Sequence, residues 1–424
     1  MSARTWIAIW VVAPMITAPV TARQTFRQTQ TDAYTRYELL DPAMHRFRIV
    51  YDVSATAAGA RFFFNPIRRG SEETVHRVID LLNGRALPWD VVNGADASVD
   101  GMLNADSAAR YIRVTLPRPV PEGGQVRLRI DKTYRDPTSY GPTPEGLRFS
   151  RSLGIRRNAV VLPVGYELTG VNYPSQVVRE SDGRLKVSFL NVGPSAVPFV
   201  IVGRPLPGSR PRTVAEDRAQ VRPVRMTTRS VPAGARVGYT FSERAFQDRD
   251  ITYFLRDPAT HAFRLYHDYT ERRLGVDRYL NVVRAGSRAS DPSAVVLDTG
   301  DSLPVETLRG AEIVERGLDI GQEITPATEV VVIRFPAVEP GHSVRLRIAE
   351  TYADPERYQV VNDELVWDRS FGRPRNTVVL PEGWYLTANA VPAVVTRLDD
   401  GRIRLRYVND RPGVIGVFIR ARRR

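Results

Sequence analysis

Seven arginines sit where they could grip an anion. Arg127 and Arg129, Arg345 and Arg347, and Arg402, Arg404 and Arg406 alternate with Val126, Leu128 and Ile130, with Val344, Leu346 and Ile348, and with Ile403, Leu405 and Tyr407. A period of two puts the arginines of a run on one face of a β-strand and the apolar residues on the other. A guanidinium fork binds carboxylate or phosphate through two parallel hydrogen bonds, so neighbouring stripes would form an anion-binding surface. The ordinary role of such stripes is a solvated face balanced by the 47 acidic residues. The functional role is partner binding.

No other constellation assembles. The five histidines are His45, His76, His261, His267 and His342. His261 and His267 share a strand face but would stand about 20 Å apart, too far for one metal. His45 and His261 each follow Asp-Pro-Ala-x, where a histidine closes a turn. There is no His-Glu-x-x-His, Gly-x-Ser-x-Gly, Ser-x-x-Lys, phosphate loop or dinucleotide fingerprint. Asp399-Asp400 falls in a hairpin turn, and Glu312, Glu315 and Asp319 read as a solvated loop. The acids from Asp96 to Asp106 lack the alternate spacing of a calcium loop and are not kept in the second copy. No catalytic residue, cofactor or metal ligand is therefore expected.

Composition sets the setting. Cysteine is absent, which removes disulfides, thiolate metal sites and cysteine nucleophiles. The formal charge is +13, carried by arginine except for Lys132 and Lys186. Such a charge attracts an acidic protein face, an anionic membrane surface or an acidic polysaccharide; no specific nucleic-acid motif is present. Met1 to Ala22 carries an early Arg4, an apolar run from Trp6 to Val20 and small residues at its end, the order of a secretory signal peptide. The expected location is periplasmic, extracellular or peripheral on the outer face of a membrane, with a retained anchor as the alternative to cleavage.

The elements that would position the arginines are written twice. RNAVVLPVGYELT (Arg157 to Thr169) returns as RNTVVLPEGWYLT (Arg375 to Thr387), identical at nine of thirteen positions. Tyr37 to Arg48 returns as Tyr253 to Arg264, Val126 to Ile130 as Val344 to Ile348, and Asp182-Gly183-Arg184 as Asp400-Gly401-Arg402. Period-two runs punctuated by Asn-Gly, Asp-Gly, Asp-Pro and Pro-x-Gly predict half-buried strands and turns. The expected fold is all-β: two tandem homologous antiparallel β-sandwich domains of immunoglobulin-like type. The expected organisation is a signal peptide at 1–22, a lead-in at 23–36, the first repeat at 37–204, a Pro/Arg-rich linker at 205–236 and the second repeat at 237–424.

The opening of each copy, Tyr-x-Leu-x-Asp-Pro-Ala-x-His-x-Phe-Arg, resembles the start of the N-terminal β-sandwich of glycyl-aminopeptidase-type gluzincins. The resemblance covers about a dozen residues per copy and implies the sandwich fold alone. Those enzymes hold their zinc on a separate helical domain for which this sequence has no counterpart.

Together these readings predict an exported, non-catalytic protein that binds or scaffolds. An accessory subunit of a membrane-associated complex is one form this would take. A hydrolase of an envelope polymer, with its site between the two repeats, is the alternative from another class. A carbohydrate-binding module is a third, for which Trp89, Trp367, Trp384 and Tyr385 are the available aromatics.

Overall fold

The period of two in the sequence becomes strand nearly throughout. The computed structural model describes residues 25–206 and 243–424. The expected signal peptide, and the expected linker beyond Leu206, lie outside the described residues. Among the described residues helix is confined to Gly94–Val99, Ala311–Glu315 and the 3-10 turns Pro42–Met44 and Pro258–Thr260. No helix among them is long and apolar enough to cross a membrane.

Each half of the chain builds three sheets. In the first half a seven-stranded sheet runs, edge to edge, through Gln176–Arg179, Leu185–Leu190, Arg157–Val161, Gln30–Leu39, Arg46–Ala55, Val126–Arg135 and Glu72–Asp80. The second half repeats that order with Val394–Arg397, Ile403–Val408, Arg375–Val379, Asp250–Leu255, Ala262–Glu271, Val344–Ala353 and Arg288–Val296. A four-stranded and a three-stranded sheet accompany each large one. The core of the first half draws Phe47, Leu128 and Val160 from the large sheet, Phe149 and Phe199 from the four-stranded one, and Phe63 and Ile112 from the three-stranded one. Phe263, Leu346 and Val378 pack with Trp367, Val417 and Ile333 in the same way in the second half. The apolar core face of each large sheet is thus covered by the two smaller sheets, leaving its other face to carry the arginines.

Two details depart from a purely antiparallel sandwich. Arg157–Val161 lies parallel to Gln30–Leu39, and Arg375–Val379 parallel to Asp250–Leu255. Each enters the large sheet from a strand of the four-stranded sheet rather than through a hairpin, which frees its direction. The Pro-x-Gly turn that follows, with Gly165 at φ 79° and Gly383 at φ 78°, then returns the chain to the four-stranded sheet. The twin motif is therefore strand, turn, strand, but its two strands belong to opposite layers.

The Asp-Pro-Ala-x-His turn forms as expected. The Asp41 carboxylate accepts from Ala43 N, and that of Asp257 from Ala259 N; His45 (φ 54°) and His261 (φ 52°) end the turn in the left-handed region. Each ring donates from Nδ1 to a carbonyl, that of Tyr140 at 2.9 Å and that of Tyr358 at 2.7 Å. The hydrogen bond offsets the cost of a positive φ at a residue with a Cβ.

The halves meet through matching pieces. Gln125 N donates to Leu297 O at 2.9 Å, and Ser343 N, from the position that aligns with Gln125, donates to Leu82 O at 3.1 Å. A second seam is the segment after residue 242. Tyr34 donates to Glu243 at 3.0 Å, while Arg244 donates to the Gly372 and Asn409 carbonyls, both at 3.0 Å.

Candidate functional site: a desolvated arginine face between the halves

The seven arginines have three fates. Arg127 and Arg345 are not outward and solvated as the alternation suggests; they are 3% and 2% exposed. The reason is that each outer position is covered by chain from elsewhere. Arg127 Nε donates to both Asp298 oxygens at 2.8 and 2.9 Å, and its other nitrogens reach Ser343. Arg345 donates to the Asp248 carbonyl and Thr270 Oγ1, each at 3.0 Å.

Three more are outward but neutralised. Arg129 grips Asp52 through two hydrogen bonds of 2.6 and 2.7 Å, and Arg347 grips the matching Asp268 at 2.8 and 2.9 Å. Arg402 closes onto Asp400 in its own turn at 2.8 Å. Only Arg404 and Arg406 remain without a carboxylate among the described residues. Arg404 Nε donates to Thr396 Oγ1 at 3.1 Å. The Nε of Arg406 is buried and has no hydrogen-bond partner. Burial alone pulls the Arg406 guanidinium below its ordinary pKa, with no carboxylate to offset it.

The same sheet face in the first half is balanced. Arg36 donates to Glu38 and, bidentately, to Glu180; Arg48 grips Asp131. Lys186 bonds Glu180 at 3.0 Å and Glu243 at 2.8 Å. Burial alone would raise the Glu180 carboxyl, but the Arg36 hydrogen bonds and the charges of Arg36 and Lys186 hold it down to about 2. The strand registers align these positions with the second half: Arg36 with Thr252, Glu38 with Phe254, Asp131 with Ala349, Lys186 with Arg404 and Ser188 with Arg406. Glu180 aligns with Leu398, four residues before Arg402 as Glu180 is before Arg184. All three acids have become apolar, while the number of cations is unchanged, Arg36 giving way to Thr252 and Ser188 to Arg406.

Two clefts flank this face. One, of about 840 Å³, has Phe254, Val379 and Leu398 as its floor and Arg156, Arg375, Arg404 and Arg406 around it. Arg375 stands 3.4 Å from Asp250. The other cleft, of about 880 Å³, is mainly apolar and opens between Val177 and Phe189 of the first half and Val394 and Val408 of the second. Arg406 lines both.

No family model matches the chain, and no curated protein matches it. Partial matches to solved structures exist. An M1 zinc metallopeptidase from Deinococcus radiodurans matches at 14% identity and a TM-score of 0.28, over 41% of this chain and 41% of that one. An aminopeptidase N family protein from Idiomarina loihiensis matches at 11% identity and a TM-score of 0.25, over 41% of this chain and 29% of that one. The chain spans less than half the length of these proteins. This is a fold-level resemblance of part of the chain, like that of its Asp-Pro-Ala-x-His opening, and no chemistry comes with it.

The other residues singled out in the sequence have ordinary places. Trp367 and Trp384 are buried in the core of the second half, while Trp89 and Tyr385 are exposed. Among the described residues no group of three or more His, Cys, Asp or Glu could hold a metal ion. The sequence reading missed Phe254, Leu398 and Arg156. Setting the two copies side by side at the outward positions, acid against apolar, is the signal that would have found the first two.

Proposed function

We propose that the chain is an exported, non-catalytic binding protein whose second half presents Arg404 and Arg406 to an anionic partner. The observation that carries this reading is the loss of Glu38, Asp131 and Glu180 at the aligned positions Phe254, Ala349 and Leu398. A face that only needed to be soluble would keep its acids, because an unpaired, half-buried guanidinium is costly. Tolerating that cost is reasonable where a ligand supplies the missing anion. The export signal expected at 1–22 and the basic surface suit an accessory role at an envelope surface.

The experiment is a titration with inorganic phosphate, read by calorimetry, on wild type and two double variants. Arg404→Ala with Arg406→Ala should weaken binding at least tenfold. Arg148→Ala with Arg179→Ala, two exposed positions outside both clefts, removes the same charge from the first half and should leave binding unchanged. Equal binding by all three proteins would make the stripe a solvated face and end the proposal.

A further inference from the structure

The two clefts share Arg406, and their linings differ in kind. On one side of it lie Arg156, Arg375 and Arg404; on the other lie Val177, Phe189, Val394 and Val408. Resting on the reading of Arg404 and Arg406 as an anion site, we infer that the paired clefts form one site for an anionic amphiphile. Its phosphate or carboxylate head sits at Arg404 and Arg406, and its apolar chain runs past Arg406 into the second cleft.

Three features favour this class over a polyanion. A polyanion needs a row of free cations, but the neighbouring arginines on this face are occupied. Arg347 is held by Asp268, Arg402 by Asp400, and Arg264 lies over the Tyr266 ring at 5.4 Å. The positive charge is therefore gathered around one cleft, at Arg156, Arg375, Arg404 and Arg406. Second, apolar Phe254, Val379 and Leu398 lie beneath these arginines, beside the hydroxyls of Thr252 and Thr377, so the surface under the head is partly apolar. Third, a cleft of about 880 Å³ falls within the size range of small-molecule sites, roughly 300–1,000 Å³. An apolar chain there removes Val177 from water; its side chain is otherwise 42% exposed. The head supplies the Arg406 guanidinium, which lines both clefts, with an anionic partner.

The test is a series of alkyl phosphates from butyl to dodecyl, each titrated below its micelle concentration into the full chain, with inorganic phosphate as baseline. Affinity should rise about two- to fourfold for each methylene added, until the cleft is filled. Val177→Asp, at an exposed position, should flatten the series, its slope with chain length being read against that of wild type. Arg404→Ala with Arg406→Ala should weaken every member, and neutral dodecyl maltoside should compete poorly. If phosphate binds through Arg404 and Arg406 but chain length changes nothing, the amphiphile is wrong and the anion site survives. If polyglutamate binds more tightly than dodecyl phosphate and depends on the same arginines, the partner is a polyanion and the amphiphile again falls. If dodecyl phosphate binds the double variant as well as wild type, both the amphiphile site and the reading beneath it are overturned.

Discussion

On the large sheet of the first half, Arg36, Arg48 and Lys186 stand among Glu38, Asp131 and Glu180. On that of the second, Thr252, Arg264 and Arg404 stand among Phe254, Ala349 and Leu398. The backbone is the same on both sides: the strand order repeats, and the two registers match residue for residue across the central strands. What differs is the set of partners each cation finds. Backbone geometry decides where an arginine points; its neighbours across the strands decide whether it is part of the fold or free for a ligand.

The largest effect that would sharpen this comparison lies in the neutral face. Glu180→Ala removes an acid that serves both Arg36 and Lys186, so it should destabilise the chain by about 3–5 kcal/mol in chemical denaturation. Its contribution is present above pH 4.5, the ordinary value for Glu, and is lost as the pH falls towards about 2. A cost below 1 kcal/mol would break the claim that this face is held together by its charges.

A second contrast lies on the core side of the same sheets. Burial, with the charge of Arg151, pulls Lys132 down to about 7, while burial raises Glu350, which aligns with it. The aligned pairs Asn65 with Tyr134 and Asn281 with Tyr352 solvate the two groups. The Lys132 contribution to stability should rise with pH between about 7 and 10.5, because the unfolded chain binds the proton there and the folded chain does not. The Glu350 contribution runs the other way, falling as pH rises above the ordinary carboxylate value. Lys132→Met should stabilise by about 1–3 kcal/mol at pH 6 and flatten the alkaline rise, measured by denaturation midpoints across pH. No change in that slope would show that Lys132 stays charged in the fold.

Transplanting an acid tests the comparison directly. Leu398→Glu places a carboxylate where Glu180 stands in the first half, within reach of Arg404. Phosphate affinity should fall about tenfold, near 1.4 kcal/mol, with little change in stability. The smallest effect is a control in which the halves should agree. His45→Ala and His261→Ala each remove one hydrogen bond from matching turns, and each should cost roughly 0.5–2 kcal/mol. A large difference between the two would mean the turns are not equivalent.

Much of the architecture was legible because it is local. The twin RN-x-VVLP-x-G motif, the alternating runs and the Asp-Pro-Ala-x-His turn each depend on residues within a few positions, and each appears where expected. The exposure of the arginines was not legible for the opposite reason. Arg127 is buried by Asp298 and Ser343, and Arg345 by the segment at Asp248, all far away in sequence. Alternation tells which side of a strand a residue occupies; it does not tell what covers that side. Arg404 and Arg406 were visible as candidates, but their lack of partners required knowing which strands stand beside theirs.

The buried pair Arg127–Asp298 has a consequence for recognition within the chain. Short hairpins carrying the bridges Ile79 to Ala86 and Val295 to Ser302 align Leu82 with Asp298. Two first halves brought together in the same way would set a desolvated guanidinium against leucine at both seams. A first half against a second gives that guanidinium its carboxylate. A seam built from aligned positions of two homologous halves would otherwise invite like to pair with like. One aspartate makes each first half prefer the sibling to which it is already tethered.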